Sequence, residues 1–469
     1  MRFKPLSPFA TRCMLATLLT LAALLPAPGA TQAASPASVI PGLAAPMLSA
    51  DFWIARLDAP DALVLDAVAI DAQNAAMRRD DASIYDPLAL PAQLDQGTVV
   101  DWIEALSKRP TTPRFTMAGA VDAATVDAWM HALALDALPA QVTPRFGLVV
   151  GRADLRAFPT VTRVFSRPED TDIDRFQEDA LFPGAPVAVL HASRDGDWLF
   201  VVSERYRGWV GAQHVAIGTR DAVAGYAARA AAGIVVTGAT ARTVFTPEAP
   251  AVSDVQLEMG VRVPRADWDA SRVLHGQVPA FGDIVELPVR GEDGTLSFAP
   301  ALLPASADVA GDVLPYTRAA LIRQAFKFLG ERYGWGHAYN ARDCSGFVSE
   351  IYRGFGILLP RNTSAQATSP ALNRIEVPAD MPYAQRLQLL REAEVGDMVF
   401  IPGHVMMVIG HVDGEPWVIH DTAGMNVRNA SGAIARLPLN GVVVTPMTPM
   451  LSGEDGTTIH RITSIQRVR

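Results

Sequence analysis

The sequence predicts a multidomain α+β chain: a mainly helical N-terminal segment, two small β-barrels in the middle and an α+β domain at the C-terminal end. Three observations predict it. The 469 residues exceed what one core usually holds, since domains average roughly 100–200 residues. Near residue 143 helical periodicity gives way to short apolar runs separated by turn residues, a texture that 35 Gly and 35 Pro suit. Near residue 315 an amphipathic helix returns and strands follow it, the order of an α+β domain. No fixed-period repeat is present, and alanine enrichment is the main compositional bias.

Residues 1–33 read as an export signal. Arg2, Lys4 and Arg12 form a positive start, residues 14–25 are an uncharged 12-residue apolar run, and small residues follow through Ala30 and Ala33. Cleavage is expected near Ala33. Twelve residues fall short of the roughly 20 a bilayer span needs, and the later apolar run 227–236 is shorter still, so no stable membrane anchor is expected. Cys13 precedes the apolar run, whereas a lipidated cysteine would follow it. Loss of residues 1–33 removes three positive charges and moves the formal charge from -9 to -12, which argues against nucleic acid as a partner.

Residues 36–142 read as mostly helical, with Val121, Ala124, Thr125, Ala128 and Ala132 forming one stripe. Residues 143–218 hold about five short strands, from Phe146 and Gly147 to Trp209 and Val210, and predict a first small barrel. Residues 221–310 repeat that texture, with candidate strands at 252–263, 282–289 and 295–304, and predict a second. Residues 315–469 begin with a helix capped by Thr317 and stopped by Gly330. A second helix is expected to start near Cys344 and end at Gly354 or Gly356. Strands are then expected at 398–402, 404–409, 416–420, 441–444 and 458–468.

Beyond the export signal the chain keeps one cysteine, Cys344. A single thiol forms no internal disulfide, and an oxidising compartment gives it no redox purpose, so catalysis is the leading reading. Its polar neighbours Asp343 and Ser345 argue against a plain core role. A thiol attacks as thiolate, so something is expected to lower its pKa: free N–H groups at a helix start, and an imidazolium brought from elsewhere. His404, opening a buried-looking strand after Gly403, is the best imidazole. A third group must orient that ring; His420 ends the next strand and Asp421 is its rival. Asp413 and Gly414 between them are a hairpin signal that sets the two strands side by side. One Cys and two His separated by 60 and 16 residues lack zinc spacing, so neither metal nor other cofactor is expected. His131, His191, His214, His275, His337, His411 and His460 read as surface or satisfied polar groups.

Six ordered stretches then carry a family resemblance. They are Tyr333-Gly334-Trp335-Gly336, Arg342 through Phe347, Leu359-Pro360-Arg361 with Ser364-Ala365-Gln366, Gly396 through Phe400, Gly403-His404, and Val418-Ile419-His420. Together they resemble the NlpC-type cysteine peptidases of bacterial cell walls. The resemblance implies a reduced papain-like catalytic domain with Cys344 as nucleophile, His404 as general base and His420 as the orienting residue. Upstream, Arg152 through Arg156, Asp174 through Gln177 and Gly208-Trp209-Val210 are similar to the subgroup with two bacterial SH3-like barrels and an N-terminal helical segment packed on the catalytic domain.

That subgroup hydrolyses the γ-D-glutamyl–diamino acid bond of murein stem peptides, often with the first barrel closing the site around a free N-terminal L-alanine. The resemblance therefore implies a murein D,L-endopeptidase of the periplasm, or one secreted to the wall. It also implies binding roles: Asp343 for the alanine ammonium, Ser345 and Ser364 for hydrogen bonds beside it, Tyr333 for the oxyanion or the pocket wall, and Tyr206 from the barrel. The family's acidic barrel residue has no match at Gly184-Ala185. Other readings of the same residues are a murein-binding protein without catalysis, and an amidase or acyltransferase that uses the Cys-His pair.

Overall fold

Side-chain caps start the N-terminal helices. A computed structural model describes residues 39–469 except 270, 430 and 453–455, so the expected export signal lies outside the described residues. Ser49 caps α1 (Ala50–Ile54) and Asp66 caps α2 (Ala67–Asp80), each accepting a first-turn amide. Two further helices, α3 (Gln96–Leu106) and α4 (Ala123–Ala132), follow, and Asp122 caps the latter.

These helices serve two different cores. Ile40, Met47, Trp53, Ile70 and Met77 join the core of the C-terminal domain, whereas Val99, Ile103, Trp129 and Leu133 join Phe158, Phe200 and Trp209 of the first β unit. The N-terminal segment thus packs on the C-terminal domain only through its first part. The stripe expected along α4 is also corrected. Ala124 and Ala128 are exposed while Trp129 and Leu133 are buried, because one indole removes far more apolar surface from water than two methyl groups.

The first β unit is a seven-stranded antiparallel sheet. Its strands are Arg145–Val149, Ala153–Arg156, Gln177–Leu181, Pro186–Ala192, Trp198–Val202, Arg207–Gly211 and Val215–Gly218. Both faces are covered. Val187 and Val189 point into the unit's own core, and Ala188 and Leu190 point at the N-terminal helices, which explains the unbroken apolar run there.

Helix α5 (Arg220–Ala231), capped by Thr219, stands where the sequence predicted only strands. The next unit is built on a nine-pair hairpin, Gly282–Arg290 with Leu296–Pro304. The strand expected over 252–263 is instead broken into a turn, Gln256–Glu258 and Arg262–Val263, because Gly260 takes φ +78° and reverses the chain.

In the C-terminal domain Thr317 caps α6 (Arg318–Phe326) and Gly330, at φ +86°, turns the chain soon after it. Helix α7 (Cys344–Arg353) is buried along nearly its whole length. It lies on a six-stranded antiparallel sheet ordered Asn373–Glu376, Ser464–Arg467, Met398–Ile401, His404–Val412, Glu415–Thr422, Gly441–Pro446. Phe347, Val348 and Ile351 of α7 meet Val405, Met407 and Ile419 of that sheet. Two helices not anticipated from sequence, α8 (Thr363–Thr368) and α9 (Tyr383–Arg391), flank it, as does an extra hairpin of Met425–Arg428 and Ile434–Leu437. The Asp413-Gly414 turn is real: both residues have positive φ, and Val412 pairs with Glu415. Among the described residues no helix is long and apolar enough to cross a membrane.

Candidate active site

Helix α7 starts at Cys344 because Asp343 caps it, its Oδ1 accepting the Gly346 amide at 2.8 Å. The sulfur therefore sits in the first turn, where backbone N–H groups are unpaired. It lies 3.6 Å from Thr363 Oγ1, and the Val405 backbone favours its thiolate form. Val405 follows His404 directly.

His404 Nε2 is 2.8 Å from His420 Nδ1, and His420 Nε2 is 2.9 Å from Thr445 Oγ1. The direction of these bonds depends on the tautomer at their far end. When the Thr445 hydroxyl donates to the Met450 sulfur at 3.5 Å, Thr445 accepts from His420 Nε2–H. His420 Nδ1 then accepts from His404 Nε2–H, which leaves His404 Nδ1 as the basic nitrogen. It is His420, and not Asp421, that bonds the His404 ring. Asp421 is fully buried, and neither of its oxygens has a hydrogen-bond partner among the described residues. Burial first, then the Asp343 and Glu331 charges, push its pKa well up.

The expectation of a depressed thiol pKa is not met. Burial, and then the adjacent Asp343 carboxylate, push Cys344 up to about 12, outweighing the Val405 and Thr363 bonds. Burial also pulls His404 down to about 4, against the opposing pull of Asp343. The resting groups are a neutral thiol and a neutral imidazole.

Under α7 lies a buried charged cluster. Arg361 donates to both Asp343 oxygens (3.1 and 2.9 Å), to Ser345 Oγ at 3.0 Å and, across the domain junction, to Asp179. Asp343 Oδ2 also accepts the Gly336 amide at 3.0 Å, so both of its oxygens are spent within the protein. Burial alone would raise the Asp343 pKa, yet the Arg361 and His337 charges hold it below the usual range. Ser345 is likewise occupied, donating to Asp343 at 3.2 Å. His337, read from sequence as a satisfied polar group, bridges Glu350 at 2.8 Å and Asp179 at 3.0 Å. Gly346 makes room for it: a Cβ there would stand 2.5 Å from His337 Cε1.

Tyr333 is nearly buried, and its hydroxyl makes no hydrogen bond among the described residues. It lines a groove of about 400 Å³ with His404, His420, Met406 and Asn426. Burial and the neighbouring Cys344 and Asp343 charges raise its pKa, so it stays a hydrogen-bond donor. Ser364 is exposed on α8; the hydroxyl beside the sulfur belongs to Thr363 instead. Tyr206 donates to Glu178 and shares a 190 Å³ pocket with Asn362, the residue before Thr363. Sequence reading passed over Glu178, the Tyr206 partner, although it directly follows the quoted Asp174-to-Gln177 stretch. It also missed Arg361, quoted in the Leu-Pro-Arg run without a role. Among the described residues no group of three or more His, Cys, Asp or Glu is arranged to hold a metal ion.

Comparison with known proteins places these features. Residues 163–211 match the SH3 domain (SH3b1 type), and residues 330–443, which include Cys344, His404 and His420, match the NlpC/P60 family. A solved NlpC/P60 endopeptidase from Photobacterium damselae subsp. piscicida is similar in fold, with TM-score 0.68 and 18% identity over 85% of this chain and 90% of that one. An NlpC/P60 family protein from Bacillus cereus ATCC 10987 overlaps with TM-score 0.45 and 20% identity over 69% of this chain and 99% of that one. The peptidoglycan hydrolase RipB from Mycobacterium tuberculosis overlaps with TM-score 0.20 and 22% identity over 32% of this chain and 63% of that one. None of the curated proteins compared matches the chain. The chain thus carries a peptidase domain of the NlpC/P60 family behind an SH3 domain of the SH3b1 type.

Proposed function

We propose that this chain is an exported murein endopeptidase of the periplasm that cleaves the γ-D-glutamyl–diamino acid bond of stem peptides with Cys344, His404 and His420. The observation that supports this most is the donor chain from His404 through His420 to Thr445. It leaves a basic imidazole nitrogen on the residue next to Val405, whose backbone favours the Cys344 thiolate.

In this reading the Cys344 sulfur attacks the γ-glutamyl carbonyl carbon while His404 Nδ1 takes the thiol proton. The Cys344 amide and the Tyr333 hydroxyl receive the oxyanion. Collapse breaks the C–N bond, and the imidazolium proton leaves with the amine. Water, deprotonated by His404, then hydrolyses the thioester and restores the thiol. His420 holds the ring in its reactive tautomer. Because Arg361 occupies Asp343 and Ser345, the ammonium of an N-terminal L-alanine falls instead to Glu178 with Tyr206.

Mass spectrometry of products from L-Ala-γ-D-Glu-diaminopimelate, and from the same peptide blocked at its N-terminus, tests this. Cleavage of the free peptide alone, lost in Cys344→Ala, is the expected result. Cleavage of both peptides removes the amine-recognition role, and cleavage of neither removes the endopeptidase reading in favour of a murein-binding protein or a different acyl substrate.

A further inference from the structure

The first β unit, α5, the Val261-Arg262 segment and the C-terminal end of α7 line a half-open pocket of about 420 Å³ that shares no residue with the His404 groove. Its charges do not balance. Four arginines line it: Arg78, Arg205, Arg262 and Arg353. Arg78 pairs with Glu204 and Arg262 with Asp312, and the lining Asp179 is committed to Arg361 and His337. Among the described residues Arg205 donates only to the neutral Ser349 hydroxyl, at 3.0 Å. Arg353 makes no ion pair among the described residues; its guanidinium lies 5.3 Å from the Phe182 ring centroid.

Two neighbouring cations are therefore held without a carboxylate partner of their own. Burial, and then the Arg353 charge, disfavour the protonated form of Arg205, against weaker support from Asp179 and Glu204. Arg353 in turn feels Glu350, whose oxygens are already taken by His337 and Arg342. The position of Arg353 is built. Gly260, at φ +78°, passes so close that a Cβ there would stand 2.5 Å from Arg353 Cγ. Apart from Ser203, the rest of the wall is apolar, with Phe182, Pro183, Val261, Ala227 and Ala230.

We propose that this cavity binds a phosphate monoester with an apolar substituent, the phosphate bridging Arg205 and Arg353 and the substituent lying on the Phe182 and α5 wall. A dianion matches two uncompensated guanidiniums, whose planar donors suit phosphate oxygens. A monocarboxylate matches only one. The bound phosphate would tie the first β unit to α7 at a pocket separate from the His404 groove.

Calorimetric titration of the full chain with hexyl phosphate, inorganic phosphate, hexanoate and hexanol tests the assignment. Hexyl phosphate is expected to bind saturably, at least about tenfold tighter than inorganic phosphate or hexanoate, with no binding of hexanol. Arg205→Gln and Arg353→Gln should each weaken it about tenfold or more. Vesicles bearing phosphatidic acid distinguish the source: competition with hexyl phosphate indicates a lipid headgroup, and its absence a soluble ester. Absence of saturable hexyl phosphate binding, tighter binding of hexanoate, or unchanged affinity in the double variant would overturn the proposal. Thermal unfolding guards against a folding artefact. Arg353→Gln should unfold no earlier than the parent without phosphate, because like-charge repulsion is relieved, and should lose the phosphate-dependent rise. A variant that keeps this rise overturns the proposal as well.

Discussion

At Cys344 and His404 burial sets the protonation states. Each buried group favours its neutral form, so the thiol sits near 12 and the imidazole near 4. The sign of the pH dependence follows. His404 acts as base only while unprotonated, and its lowered pKa keeps it so down to about pH 4. The acid limb of kcat/KM on the free tripeptide should therefore fall near pH 4, rather than at the roughly 6.5 of an ordinary histidine; a pH–rate profile checks this. Iodoacetamide should alkylate Cys344 slowly at neutral pH even in active enzyme, since the thiol is raised and not lowered. Glu178 is the other residue whose environment is informative. Burial raises its pKa while Tyr206 donates to it, a carboxyl ready to be ionised by an incoming cation. Glu178→Gln should raise KM for the free-amine peptide by about tenfold with little change in kcat, as expected from loss of one charge-assisted bond.

At the level of the element, the start of α7 depends on Arg361. A capping aspartate alone would bury a carboxylate at its own expense; the guanidinium of Arg361, 2% exposed, neutralises Asp343 and Asp179 together. Removing it leaves buried Asp343 without its cation and Asp179 with His337 alone. Arg361→Ala should cost about 3–5 kcal/mol of unfolding free energy by denaturant titration, the usual range for breaking a buried pair. It should also reduce turnover by displacing Asp343, and through it the first turn carrying Cys344. The hairpin bearing His404 and His420 rests on a different device, the Asp413-Gly414 turn, which brings the two strands together in sequence-local fashion. Its register then shifts at a bulge between Val408 and Gly410.

Across the whole molecule, Arg152 plays for the domains the part that Arg361 plays for the site. From the first β unit it reaches Glu258 at 2.7 Å in the second unit, and the His337 and Ala341 carbonyls at 2.8 and 3.0 Å in the peptidase domain. Glu258 is fully buried, and burial outweighs Arg152 in raising its pKa. Arg152→Ala should therefore destabilise the chain by about 3–5 kcal/mol at neutral pH. The loss should shrink on acidification, because a protonated Glu258 no longer needs a cation. Denaturant unfolding at two pH values measures both. The same connectivity predicts that the two β units and the peptidase domain unfold in a single transition.

What the sequence determined by itself was local or ordered along the chain. The cap at Thr317, the Asp413-Gly414 turn, the strands carrying His404 and His420, and the lone Cys344 are legible because each depends on neighbours within a few residues. Tertiary structure decided the rest. The choice of His420 over Asp421 follows from strand pleat, which sends adjacent side chains to opposite faces, together with a register that the turn alone does not set. The engagement of Asp343 by Arg361, the raised thiol and the Glu178–Tyr206 pair arise between segments far apart in sequence. Desolvation and Coulomb terms depend on which distant groups share a buried volume, and no local pattern of residues encodes that.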